Sequence, residues 1–308
     1  MTTEFDQLER CTICPRTCRT NRHEKAGALC KAGGHIKVAR AALHFWEEPP
    51  ISGEKGSGAI FFSHCALKCV YCQNKEISTG GFGLEISPER LYEIFFELKE
   101  QGAHNINLVS PSHYFALIAP VIKRAKADGL NLPVIYNGSG YERVETLKDL
   151  EGLIDIWLTD YKYSSNQLAQ KLSRARDYPQ VALEALKEMD RQNTLRGSDQ
   201  YDGAGMMKQG IIVRHLILPE HVDQSKKVLQ IIYDNFGTRL KLSLMSQYTP
   251  TEVNTRFAPE LGRAITKDEY EEVLDFADDL ELDYFWQEGE ACKESFIPSF
   301  DTTGVLNC

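Results

Sequence analysis

Between Ala59 and Trp286, short apolar runs alternate with stretches whose apolar residues recur every three or four positions. The runs Ala59–Ser63, Asn107–Val109, Val134–Tyr136, Ile154–Leu158, Ile211–Leu218 and Leu240–Met245 read as strands, because they are short and bounded by turn residues such as Asn137-Gly138. A helix opens at Ser87-Pro88, with serine as N-cap and proline in the first turn. Leu91, Ile94, Phe95 and Leu98 form its apolar face, and it stops at Gln101-Gly102. Phe115–Lys126, Tyr178–Gln192, Val222–Tyr233 and Lys267–Leu280 carry the same period. Strands that alternate with helices pair in parallel through crossovers. Six such units, with a possible seventh strand at Tyr284–Trp286, predict an α/β fold built on a partial (β/α)6 TIM-like barrel. The polar, glycine-containing stretch 193–210 is expected to form a long loop.

A length of 308 residues suits two domains, or one barrel with extensions. The expected division is a cysteine-rich N-terminal extension (1–56), the barrel core (57–250) and a C-terminal helical extension with a tail (251–308). The net charge of -9 argues against a protein that grips nucleic acid through its overall field. The charge is uneven. Residues 11–40 hold seven basic residues and one acidic one, whereas 251–308 hold four basic and fifteen acidic. Two solvated faces account for this, as does a basic cap that supports metal-bound thiolates or docks on the acidic C-terminal part. Neither a basic-then-apolar leader nor a membrane-length apolar run is visible, so the expected compartment is the cytoplasm, with no membrane partner. Thiols stay reduced there, which makes metal binding or redox chemistry the first reading of clustered cysteines.

Seven of the nine cysteines fall within the first 72 residues. Cys65, Cys69 and Cys72 are spaced C-x3-C-x2-C at the C-terminal end of the first predicted strand, where the active site of a parallel barrel gathers. Three thiolates can hold three irons of a [4Fe-4S] cube and leave the fourth open. A closed zinc site would need a fourth ligand, for which His64 is the neighbour. Cys11, Cys14, Cys18 and Cys30 can by themselves close either a tetrahedral zinc site or a second [4Fe-4S] cluster, and sulfur suits both. A structural metal contributes about 10–16 kcal/mol to local folding, so this apolar-poor segment is expected to be disordered without it. Cys292 and Cys308 have no partner spacing and read as core and tail positions.

The triplet, with Tyr71 just before its last cysteine, resembles the radical S-adenosylmethionine (SAM) superfamily. The stretch from Ser63 to Ser78 is similar to the corresponding segment of glycyl-radical-enzyme activases. The segments Leu43–Pro49, Asn105–Pro111, Tyr136–Tyr141, Asp160–Tyr163, Arg214–Pro219 and Ser246–Pro250 resemble the branch known as pyruvate formate-lyase activating-enzyme-like. The first four cysteines also resemble the N-terminal segment of that branch.

This resemblance implies a radical SAM barrel with a catalytic [4Fe-4S] cluster on Cys65, Cys69 and Cys72. Its free iron would chelate SAM, and reductive cleavage would give a 5'-deoxyadenosyl radical that abstracts hydrogen from a peptide, protein or small molecule. Activation of a glycyl-radical enzyme is one such case. A reductant such as flavodoxin or ferredoxin is implied as a partner.

Asp160 and Lys162 match the activases' Asp-x-Lys and are expected to contact SAM, with Lys162 and Arg214 also expected to act in catalysis. Ser110 or Ser112 would replace a Gly-Gly-Glu stretch, and Tyr71 and Asn137 complete the expected cofactor contacts. Arg214, in an otherwise apolar strand, needs an anionic partner, for which a SAM or substrate carboxylate is suited. The acid that precedes Asn-Gly in the activases is absent, since Ile135 and Tyr136 stand there. His215, Gln247 and Tyr248 are expected at the barrel mouth with Arg214.

Plainer readings stand beside these. Asp160 and Lys162 would form a strand-capping ion pair, and His104, His113 and His215 would be hydrogen-bonded structural residues. The tail segment Phe296–Phe300, or the loop 193–210 in a small-molecule enzyme, is expected to cover the mouth. From another class, the chain reads as a zinc-binding regulatory or interaction protein without radical chemistry.

Overall fold

The computed structural model describes residues 4–250, 256–286 and 298–306. From the N-terminus the elements are α1 (Glu4–Glu9), β1 (Ile36–His44), α2 (Pro49–Ser52), β2 (Ser57–Phe62), α3 (Lys75–Ser78) and β3 (Leu84–Ile86). There follow α4 (Pro88–Glu100), β4 (Ile106–Val109), α5 (Phe115–Ala127), β5 (Val134–Gly138), α6 (Val144–Lys148), β6 (Ile156–Asp160), α7 (Asn166–Ser173) and α8 (Tyr178–Leu195). The last are β7 (Gln200–Tyr201), β8 (Met207–Leu216), α9 (Val222–Phe236), β9 (Lys241–Met245), α10 (Lys267–Asp279) and β10 (Tyr284–Trp286).

Strands β2, β4, β5, β6, β8, β9 and β10 run parallel in that spatial order, so the mixed α/β architecture is that of a partial, TIM-like barrel. The expected helix at Ser87-Pro88 forms as α4, where the Ser87 side chain accepts from the Arg90 N–H. A strand that the periodicity did not reveal, β1, lies antiparallel against both β2 and β3, so the sheet runs across the boundary drawn at residue 56. Its alternation is muted by Ala39, Ala41 and Ala42, which leave little hydrophobic contrast between its faces.

Side-chain alternation divides the strands into two faces. Val134, Tyr136, Trp157, Ile211 and Val213 join the main core against the helices. Ile135, Ile156, Leu158 and Ile212 point the other way, into the bore, where they meet Ile51 of α2 and Met207. Ile51 is held there by its carbonyl, which accepts from Asn105 Nδ2 at 2.8 Å. The β1–β2 connection therefore plugs the bore at the N-terminal ends of the parallel strands, and the polar residues farther along each strand are left facing the opposite end.

The stretch 193–210 is not one long loop. α8 continues to Leu195, and β7 forms a hairpin with β8 through Gln200–Gln209 and Tyr201–Met207 pairs. Nor can it cover the mouth. Tyr201, Asp202 and Met206 line an open cavity of about 1220 Å³ with Pro49, His104 and Lys241, at the N-terminal ends of the strands.

Of the tail segment, Phe296 and Ile297 lie outside the described residues. Phe300 packs edge-on against Phe61 of β2, with ring centroids 5.6 Å apart. Cys292 and Cys308 also lie outside the described residues.

Candidate functional site

β2 delivers the chain to the cysteine loop through His64, whose backbone adopts φ 76° and whose N–H donates to the Ile77 carbonyl at 2.8 Å. The loop 65–72 is then hooked onto the end of α7. Val70 N–H donates to Leu172 O at 2.8 Å, and Lys68 N–H to Ser173 O at 3.4 Å. Donors converge on the sulfurs themselves. The Leu67 N–H reaches Cys65 Sγ at 3.4 Å, the Ser173 hydroxyl reaches Cys69 Sγ at 2.9 Å, and Cys72 Sγ pairs with Ser78 Oγ at 3.3 Å.

These thiols border a cavity of about 160 Å³ at the C-terminal ends of the parallel strands. Ser110, Asn137, Asp160, Lys162 and Arg214 line the same cavity. Residues from five separate strand ends thus meet at one place. Tyr71 and Ser112 are not brought into that lining. Tyr71 is buried with its hydroxyl 2.6 Å from that of Tyr163, and Ser112 donates to Glu142 Oε1 at 2.8 Å.

Burial dominates the electrostatics. It pushes the Cys65 thiol up to about 12 and the Cys69 thiol up to about 11, each opposed by a lysine, Lys68 for Cys65 and Lys162 for Cys69. Asp160 shows the opposite outcome. Burial would raise its carboxyl, but Lys162 and Arg214 together bring it below the ordinary value. The Lys162–Asp160 pair is 2.5 Å long, so the plainer ion-pair reading holds, with both groups also facing the cavity. Lys162 is in turn raised, because Asp160 and Cys69 outweigh the cost of its burial.

Arg214 anchors a polar layer beneath the cavity. Its Nε donates to Asp160 Oδ1 at 3.3 Å, Nη1 to Glu47 Oε2 at 3.2 Å and Nη2 to Asn137 Oδ1. Glu47 also accepts from Asn107 at 3.0 Å and Asn137 at 3.2 Å. Arg214 therefore has its anionic partners inside the protein. His215, the next residue, points to the other face of β8 and not to the mouth. Its ring bonds the Tyr161 carbonyl at 2.7 Å and Ser225 Oγ at 2.9 Å. Tyr248 is buried with its hydroxyl donating to Leu261 O at 2.6 Å, and the Gln247 carbonyl accepts from Gln73 at 2.7 Å. His113 is also structural, with Nε2 on the Ser63 carbonyl at 2.7 Å.

Sequence reading passed over Ser173, Ser78 and Tyr163, which serve the cysteine loop, and Glu47, which serves Arg214. Ser78, Tyr163 and Glu47 lie at or inside the resembling segments 63–78, 160–163 and 43–49, and Glu47 also stands out as a carboxylate pair with Glu48 inside the otherwise apolar run from Phe45 to Pro50.

In the N-terminal quartet the Ala32 N–H, two residues on, donates to Cys30 Sγ at 3.5 Å. Leu67 does the same for Cys65. Among the described residues, no group of three or more His, Cys, Asp or Glu side chains stands ready-made around one metal ion. The donor chemistry nonetheless fits metal-bound sulfur at both places, since thiols as buried as Cys14, Cys65 and Cys69 ionise only when a cation compensates, and N–H groups aimed at sulfur stabilise the ionised form.

Residues 59–201 match the Radical SAM superfamily. Over 287 residues the chain is 28% identical to Uncharacterized protein MJ0674 of Methanocaldococcus jannaschii, covering 91% of this chain and 77% of that protein. Among solved structures it is similar to Streptococcus suis SuiB bound to the precursor peptide SuiA (TM-score 0.49, 14% identity, 73% of this chain and 46% of that one). It is also similar to the FeFe-hydrogenase maturase HydG from Carboxydothermus hydrogenoformans (TM-score 0.45, 12% identity, 78% and 56%) and to methylornithine synthase PylB (TM-score 0.47, 14% identity, 78% and 75%). The chain spans about half the length of SuiB and of HydG. The stretch 59–201 that is similar to the Radical SAM superfamily carries the three-cysteine loop at the head of the parallel strands of the partial barrel.

Proposed function

We propose that this chain is a radical SAM enzyme whose Cys65, Cys69 and Cys72 hold a [4Fe-4S] cluster, with Ser110, Asn137, Asp160 and Lys162 disposed to bind SAM. The observation that carries this reading is the single cavity in which the three thiols and these four side chains meet. When bound, the cluster supplies the electron that cleaves SAM to methionine and a 5'-deoxyadenosyl radical able to take hydrogen from a substrate. Lys162 offers a buried cation beside Cys69, and Asp160, kept ionised by Lys162 and Arg214, offers an acceptor for an ammonium or hydroxyl group. Arg214 is engaged by Glu47, Asp160 and Asn137, so its part in this reading is to hold Asp160 and Asn137 in place.

The finer reading is that the substrate is a peptide, protein or small molecule, and that activation of a glycyl-radical partner is the case suggested by the activase-like segments. A reducing compartment such as the cytoplasm, and an electron donor of the flavodoxin or ferredoxin kind, suit this chemistry. The quartet Cys11, Cys14, Cys18 and Cys30 is proposed to hold a second centre, zinc or [4Fe-4S], supported by the burial of Cys11, Cys14 and Cys30 and by the N–H group of Ala32 directed at the Cys30 sulfur.

Anaerobic reconstitution, followed by reduction in the presence of SAM and assay for 5'-deoxyadenosine, tests the reading. Formation by the wild type and loss in Cys69→Ala are expected. A colourless protein that carries zinc alone, or a Cys69→Ala variant that still forms 5'-deoxyadenosine, would overturn it and leave the zinc-binding regulatory protein. A glycyl radical signal in a co-expressed partner would select activation from among the substrates.

A further inference from the structure

The N-terminal segment sits on the loops around the candidate cluster, and two of its arginines make the contact. Arg16 lies between Cys14 and Cys18 in the quartet loop. Its guanidinium spans two carbonyls that are far apart in sequence. Nε donates to Ala66 O at 3.1 Å and Nη1 to Arg174 O at 2.6 Å, while the group lies 5.0 Å from the centre of the Tyr141 ring.

Each carbonyl adjoins a residue that serves a cluster thiol. Ala66 follows Cys65 and precedes Leu67, whose N–H donates to Cys65 Sγ. Arg174 is the left-handed cap of α7 at φ 54° and follows Ser173, whose hydroxyl donates to Cys69 Sγ. Arg22 makes a second such contact on the other side: it donates to the carbonyl of His113, whose ring binds the Ser63 carbonyl two residues before Cys65.

We propose that Arg16 is a positioning residue that couples the N-terminal quartet to the cysteine triplet: with the quartet closed on its metal, Arg16 is held so that its planar fork locks the Cys65–Cys72 loop to the end of α7. This rests on the reading that both cysteine groups bind metal. Arginine suits the task because one rigid group must satisfy two acceptors at a fixed separation, which the single ammonium of lysine cannot do.

The test follows iron release from the reconstituted full-length protein on addition of a ferrous chelator, together with the electron paramagnetic resonance spectrum of the reduced protein with and without SAM. Elemental analysis follows the metal of the quartet. In the wild type, a spectrum that changes on addition of SAM establishes the underlying reading, and its failure to change overturns that reading and not the coupling. Arg16→Ala is expected to keep its quartet metal but to release triplet iron at least tenfold faster and to broaden the SAM-dependent signal. Arg16→Lys should recover part of both effects. Cys14→Ser should lose the quartet metal and show the same faster triplet-iron release and broadened signal as Arg16→Ala, and the double variant should be no worse in those two readouts than either single one, since both interrupt the same linkage. Iron release and spectra equal to wild type in Arg16→Ala, or additive losses in the double variant, would overturn the coupling. Arg143→Ala, which removes the donor to the Thr12 carbonyl at 2.6 Å, controls for general loosening of the segment. Broadening of the SAM-dependent signal in that variant equal to that in Arg16→Ala would also count against a specific role.

Discussion

The Ser173 hydroxyl stands 2.9 Å from the Cys69 sulfur although the two residues are 104 positions apart, and it also meets the Tyr163 hydroxyl at 2.6 Å. A hydrogen bond to a cluster sulfur favours the more electron-rich reduced state and so raises the reduction potential. Ser173→Ala is expected to lower the potential of the cluster proposed on the triplet by on the order of 60 mV, the one-electron equivalent of about 1.4 kcal/mol, with iron content unchanged. A redox titration followed by electron paramagnetic resonance measures it. An unchanged potential would remove Ser173 from the set of residues that tune the cluster.

Arg214 is the counter-charge for two carboxylates, Glu47 and Asp160, in a layer shielded from solvent. Arg214→Ala leaves both without it, and loss of one partner from a buried ionic group costs about 3–5 kcal/mol. Chemical denaturation should show a loss of that size. Asp160 is held below its ordinary value, so its contribution is present above the unfolded-state pKa and is lost as pH falls through the folded one. The gap between wild type and variant should accordingly narrow in acid.

Glu142 behaves in the opposite sense. Burial raises its carboxyl from 4.5 to about 7, although Ser112 and the Ser139 N–H both donate to it, and Oε2 has no partner. Between those two values the folded chain binds more protons than the unfolded one, so stability declines as pH rises through that window. Glu142→Gln, which keeps an acceptor for both donors, should be more stable than wild type at pH 8 by up to about 3 kcal/mol and lose that advantage near pH 4.5. Thermal melts of the two proteins at both pH values provide the check, and parallel curves at all pH values would refute it.

Arg90 secures the described part of the tail. Its Nε donates to Val305 O at 3.0 Å and its Nη2 to Gly304 O at 3.3 Å, while Glu97 holds the guanidinium at 2.5 Å. Alongside, Thr302 N–H reaches Ala39 O at 3.0 Å and Ala41 N–H reaches Thr303 O at 2.9 Å. Arg90→Ala is expected to expose residues 298–306 to limited proteolysis several-fold faster than in wild type, read by mass spectrometry. Equal cleavage rates would show that the strand contacts suffice.

Much of the fold was open to reading because its signals are local. The Ser87 cap and the apolar face of α4 depend on neighbours within one or two helical turns and appear where the periodicity placed them, whereas Asn137 and Gly138, expected as a turn, extend β5. β1 escaped because its alanines blur the alternation, and β7 because a two-residue strand has no period to detect. The cysteine spacing likewise marked two groups of thiols before any geometry was known.

What the chain alone could not disclose is which side chains meet across it. Alternation says that Arg214 and His215 lie on opposite faces of β8, but only the assembled sheet turns Arg214 toward Asp160 and Glu47 and His215 toward Ser225. Strand periodicity is an interaction over two residues. The links from Ser173 to Cys69, from Glu47 to Arg214 and from Arg16 to both Ala66 and Arg174 span 50 to 167 residues, and they exist only because parallel strand ends and their following loops are packed side by side. Composition and spacing determined that this chain carries two sets of thiols on an α/β scaffold. The tertiary packing decided what surrounds each sulfur, because burial and donor placement are properties of contacts that no local segment contains.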